Sequence, residues 1–265
     1  MTIVEVPSET TIKMRTTESC PTLARTAAKV LKRRTMGTTY FTPKFFRFFR
    51  ELAANNNREW FLANKSHYEN DVREPMQHFI ADFAPRLRKL NRNYLADPRP
   101  IGGSMFRIYR DIRFSPDKSP YKTHGSAYFH HAAGNRRDID SPGYYLHLSV
   151  GEVFAGSGLW HPESASLAKI RDAIVAHPEK WKRAVGGRQF GATCRLSGQK
   201  LQRPPKGYDP NHPLIEDLKR KDFVTITDLS EKDACSPRFM DRFVESCEAA
   251  TPLMRFLTES LDLPW

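Results

Sequence analysis

Arg107, Arg110, Arg113, Lys118 and Lys122 fall within one stretch, Met105 to His124 (MFRIYRDIRFSPDKSPYKTH), that offers only two carboxylates, Asp111 and Asp117. A planar guanidinium grips phosphate or carboxylate through two parallel hydrogen bonds, and an ammonium adds a compact point charge. Converging cations repel one another unless something negative completes them. The chemistry offered is therefore recognition of an anionic small molecule or phosphate group, with Tyr121 orienting the ligand. Asp111, Asp117 and His124 add groups that exchange protons, as general acid–base work or metal-assisted phosphoester hydrolysis requires. Spacing alone does not bring these three together. They are the best catalytic candidates in a chain whose catalytic residues stay unassigned.

The elements that must position these groups are readable from periodicity. Phe106, Ile108, Ile112 and Phe114 alternate with Arg107, Tyr109, Asp111 and Arg113, a period of two that predicts a strand. Arg110 then lands on the apolar face, where an unpaired charge costs roughly several kcal/mol, so it needs a carboxylate or a bound anion. Ser115-Pro116-Asp117-Lys118 has the pattern of a type I turn. That turn returns Lys118, Tyr121, Lys122 and His124 toward the arginines.

Around this segment the pattern is helices, strands, then helices. Thr42-Pro43 reads as a cap with proline in the first turn, followed by the stripe Phe45, Phe46, Phe48, Phe49 and Leu52. From Arg58, Phe61 through Leu90 recur at helical spacing and predict a long amphipathic helix, kinked or divided at Pro75 and Pro85. Further strands are expected near Ser126–His131, Tyr144–Val150 and Val153–Leu159, the last two joined at Gly151-Glu152. Helices return after His161-Pro162 and again at Pro178. Residues 186–207 read as strand and loop, 214–221 as a short helix, Phe223 to Ile226 as a strand, and Pro237 to Leu261 as a closing helix. The fold class is α+β: a single domain over residues 38–265, an antiparallel meander of about four or more strands packed with N- and C-terminal helices. Residues 1–37 read as a disordered basic arm, or as sequence ahead of a true start at Met36.

The formal net charge is +12 over 265 residues. The excess sits in residues 38–200, whereas residues 201–265 hold more acids than bases. Such a basic body favours anionic partners. Nucleic acid is therefore an alternative partner, tracked by Lys180, Lys182, Arg183, Arg188 and Arg195, and a phosphoester hydrolase is a further alternative. No run approaches the ~20 apolar residues of a membrane helix, so no membrane partner is expected. Cys20, Cys194, Cys235 and Cys247 form no paired motif, which suits thiols in a reducing, cytoplasmic setting. His130, His131, His147 and His161 show no zinc spacing, so no metal ligands are assigned. Cofactor and oligomeric state are unassigned as well.

The run Arg107-x-x-Arg110-Asp111-x-Arg113-Phe114-x-x-x-Asp117-Lys118-x-x-Tyr121 resembles the signature of domain of unknown function 2461, a mainly bacterial family. The likeness extends from Tyr40 to about Leu261. It takes in Phe41-Thr42-Pro43, Asn56 to Phe61, and the segment from Gly143 to Pro162 with Gly158-Leu159-Trp160. The resemblance implies that the charged segment is the family's hallmark. It brings no established activity with it.

Overall fold

A computed structural model describes residues 37–134 and 141–265 of the protein. The basic arm expected over residues 1–37 therefore falls almost wholly outside the described residues, as does part of the loop between the first two strands. Thr42 stands ahead of the first helix in extended backbone, and Pro43 occupies its first turn. Proline's fixed φ suits that position and its missing N–H is not needed there. Helix α1 (Pro43–Ala54) buries all of the predicted stripe.

The long helix expected from Arg58 is divided. It runs as α2 (Arg58–Ala63), α3 (Lys65–Tyr68), a π-helical turn (Glu69–Arg73) and α4 (Glu74–Leu90). Asn57 caps α2 by accepting from Trp60 N at 2.9 Å. Pro75 supplies the reason for the irregular turn: it has no N–H to give the carbonyl of Asp71, and the helix widens just ahead of it. Pro85 lies inside α4 without ending it.

Three strands follow in a meander: β1 (His124–His130), β2 (Gly143–Ser149) and β3 (Glu152–Leu159). The chain then forms α5 (Ser164–Ala176), α6 (Pro178–Gly186), α7 (Arg188–Thr193), β4 (Arg195–Ser197), α8 (Ile215–Leu218), β5 (Phe223–Leu229), α9 (Glu231–Ala234) and α10 (Phe239–Ser260). All five strands join one sheet in the order β1-β2-β3-β5-β4, every neighbour antiparallel. The molecule is thus α+β, as the pattern predicts. Helix α7 lies in a stretch read as strand and loop.

One correction matters for function. The segment from Phe106 to Phe114 is not a regular strand. It belongs to an arm whose two limbs pair mainly with each other, through Arg110 N to Pro120 O at 2.9 Å and Lys122 N to Ile108 O at 2.7 Å. Among the described residues, the arm's backbone hydrogen bonds to β1 lie at its root, Phe106 N to Ser126 O and Tyr128 N to Ser104 O, both 2.9 Å. Pro116 and Pro120 remove donors that a continuous ladder needs. The alternation holds at buried Ile108 and fails at Phe114, which is 92% exposed.

Helices pack against one face of the sheet. Ala127, Phe129, Tyr144, Leu146, Leu148, Val153 and Ala155 meet α1, α4 and α10 in a core rich in phenylalanine. A second cluster gathers Leu159, Phe223, Trp181, Ile170 and Ile174. Helix α10 serves both, giving Phe243 and Met254 to the first and Leu253 and Leu257 to the second. A buried guanidinium does exist, but it belongs to Arg171, which donates to Leu218 O at 2.7 Å and Arg220 O at 3.0 Å.

Candidate anion site on the outer face of the sheet

Alternation along each strand sends the remaining side chains to the opposite face. The register aligns Ser126, His147, Phe154 and Asp228 across β1, β2, β3 and β5. His124, Tyr128 and Tyr145 share that face, and none of its residues joins either hydrophobic cluster. Its centre is a row of rings. His124 lies 4.5 Å from His147, and His147 stacks on Phe154 at 4.8 Å with planes 13° apart. This flanking is why His147 is only 9% exposed on a face that carries no helix core.

His147 Nδ1 shares a 3.1 Å hydrogen bond with the Tyr145 hydroxyl, and its Nε2 faces Glu152 Oε2 at 3.7 Å. A carboxylate opposite Nε2 favours the proton there, leaving Nδ1 to accept from tyrosine. His124 makes no hydrogen bond through its ring nitrogens among the described residues. Burial pushes the pKa of both imidazoles down to about 4, and at His124 the positive charges of Lys122 and Arg110 add to burial while Glu152 opposes it. Both rings are neutral at pH 7.

The arm supplies the charge beside them. Lys122 Nζ sits 5.0 Å from the Phe106 ring centroid, and that ring approaches Tyr145. Arg110 pairs with Asp117 and reaches Ser115 Oγ at 3.4 Å. What holds the arm here is Asn56, whose side-chain amide donates to Tyr121 O at 2.9 Å and accepts from Tyr121 N at 3.1 Å. The Tyr121 ring stacks on Phe61 at 4.2 Å, anchoring the arm in the first core cluster.

Of the predicted site residues, Arg110 and Lys122 lie within range for their charges to act on His124. Arg113 instead pairs with Asp111 at 2.6 Å near the arm's tip, and Lys118 donates to Ile112 O at 3.0 Å. Arg107 is exposed, and its charge reaches Asp111. Tyr121 is buried as an anchor. Arg113 holds Asp111 down to about 2, while Ser119 and then Arg110 hold Asp117 well below the usual carboxylate range. Carboxylates held so low are weak bases at neutral pH.

Tyr145, His147, Glu152 and Phe154 were not among the predicted site residues. The alternation in Gly143–Ser149 already separates Tyr145 and His147 from the core positions. Only the register places them beside His124. A cavity of about 370 Å³ opens elsewhere, lined by Tyr40, Asn70, Glu74, His78 and Asp82 among others, and does not border the arm. Among the described residues, no group of three or more His, Cys, Asp or Glu is arranged to hold a metal.

The class is an α+β domain with helices on one side of an antiparallel sheet and a histidine–aromatic row on the other. The chain belongs to the family described as conserved hypothetical protein DUF2461, whose profile matches residues 44–256. The matched span includes the arm, the histidine row and most of both core clusters. No curated protein matches the chain.

Proposed function

We propose that this domain binds a phosphate- or carboxylate-bearing ligand on the outer sheet face, between Lys122, Arg110 and His124. The single observation carrying this reading is the situation of His124. Its ring is mostly buried, its nitrogens lack protein partners among the described residues, and two cations from the arm lie within electrostatic range. A neutral imidazole presents one N–H donor, and an ammonium and a guanidinium beside it complete a three-sided anion clamp. His124 is depressed first by burial and then by the cations beside it, and ligand charge entering there offsets the second of these. Binding is therefore expected to draw a proton onto that ring.

Titration with inorganic phosphate, followed through the imidazole proton resonances of His124 and His147, tests the assignment. Both should shift, and Lys122→Ala or His124→Ala should weaken the response at least about tenfold, given roughly 1.5–3 kcal/mol for a charged hydrogen bond. Lys118→Ala, at the far end of the arm, should leave it unchanged. Equal weakening by all three variants would mean general surface charge rather than a site.

A further inference from the structure

Two large aromatic side chains on the arm face solvent: Tyr109 at 53% exposure and Phe114 at 92%. Single exposed apolar side chains are ordinary. These two are interleaved with Arg107, Arg110, Arg113 and Lys118, and the second sits in a loop built to hold it. Asp111 accepts from Arg113 Nε at 2.9 Å and from Arg113 N at 3.3 Å. Asp117 accepts from Ser119 N at 2.9 Å, and Lys118 ties back to Ile112 O. The Arg113 guanidinium lies 5.8 Å from the Phe114 ring centroid. Phe114 is thus offered from an internally bonded loop, which lowers the ordering cost of any partner that takes it.

Exposed rings set among cations are what a flexible polyanion with flat bases requires: stacking on the rings, and charge along the backbone. Two carboxylates among the arm's five cations leave it net positive. A bilayer rewards buried apolar area, and one phenylalanine ringed by charges offers little of it. A duplex keeps its base faces stacked away from such a ring. We infer that the arm docks single-stranded nucleic acid, one base stacking on Phe114, with phosphates passing Arg107 and Lys118 toward the clamp of Arg110, Lys122 and His124. This rests on the anion-site reading, since it names that site's anion as a phosphodiester.

Fluorescence anisotropy of a labelled oligothymidylate of about 12 nucleotides, within the site sizes of single-strand modules, tests it on the full chain. Phe114→Ala should weaken binding by between about fivefold and a hundredfold, the loss typical of one stacking aromatic. Phe114→Trp should restore it, and Lys118→Ala should reduce the salt slope by about one. Because Phe114 packs against little, its loss leaves folding intact, and the inorganic-phosphate response at His124 should persist in Phe114→Ala. Unchanged oligonucleotide affinity in Phe114→Ala, with the phosphate response intact, overturns the inference and leaves the anion site standing. Phe114-dependent binding to phosphatidylserine vesicles without oligonucleotide binding overturns it in favour of a membrane surface. Phe114-dependent oligonucleotide binding without any phosphate response supports docking on the arm and overturns the clamp at His124.

Discussion

His124 and His147 titrate differently in the folded and the unfolded chain, close to neutral pH. Burial holds both near a pKa of about 4, against about 6.5 for an unperturbed histidine. Below about pH 6.5 the unfolded chain takes up protons that the folded rings refuse. Their contribution is therefore full above that pH, drains as pH falls toward 4, and levels off below it. Lys122 and Arg110 deepen the effect at His124, and Glu152 opposes it. Asp111, held at about 2, titrates below this window. Urea midpoints measured from about pH 7.5 down to 4.5 should fall, and fall less in His124→Asn. A variant with the wild-type pH profile would place the dependence elsewhere. Added phosphate should recover part of the loss at the acid end, because a bound anion raises the His124 pKa.

At the scale of elements, the arm is the decisive piece, and a single side chain fixes it. Asn56, in the connection between α1 and α2, satisfies both backbone groups of Tyr121, while Phe61 covers the tyrosine ring. Asn56→Ala leaves a part-buried N–H and carbonyl without their partner, at about 1–3 kcal/mol. The cost should appear locally first. Amide exchange at Arg110 and Lys122, whose N–H groups donate to Pro120 O and Ile108 O, should accelerate more than exchange in β2. Uniform acceleration across the sheet would show that the clasp supports the whole fold and not the arm. Phosphate affinity should drop in the same variant, since Lys122 and Arg110 then spend less time beside His124.

At the scale of the molecule, α10 contributes to both hydrophobic clusters and should couple them. Its 22 residues turn Phe239, Phe243, Cys247 and Met254 toward the first cluster, and Ala249, Leu253 and Leu257 toward the second. Leu253→Ala should destabilise by about 2–5 kcal/mol, the range for emptying a buried leucine site. Unfolding should nonetheless remain a single transition. Trp60 packs on the first cluster and Trp181 lies within the second, so single-tryptophan variants report each separately. Coincident urea transitions from the two probes are expected. A second-cluster transition that precedes the first in Leu253→Ala would mean that the helix does not couple them.

Much of this architecture is written in local pattern. Phe45, Phe46, Phe48, Phe49 and Leu52 mark the buried face of α1, and alternation marks β1 to β3, because burial on one face imposes a period on the chain. Arg110 and Lys122 were legible among six candidate anion-binding residues, and His124 separately among three proton-transfer candidates, from charge and residue type alone. Other features depended on partners distant in sequence. The arm's apolar alternation resembled a strand, but prolines and self-pairing left its backbone bonded to β1 at its root. Asp111 and Asp117 read as proton-transfer candidates, and only the fold sets Arg113 beside the first and Ser119 and Arg110 around the second. His147, Tyr145 and Phe154 came to lie beside His124 only through the register that sets three strands side by side. The sequence by itself determined which residues turn inward and where positive charge gathers, since both follow from composition and period. The tertiary structure decided which of those charges meet and which are already matched, because pairing is set by distances that chain spacing does not encode.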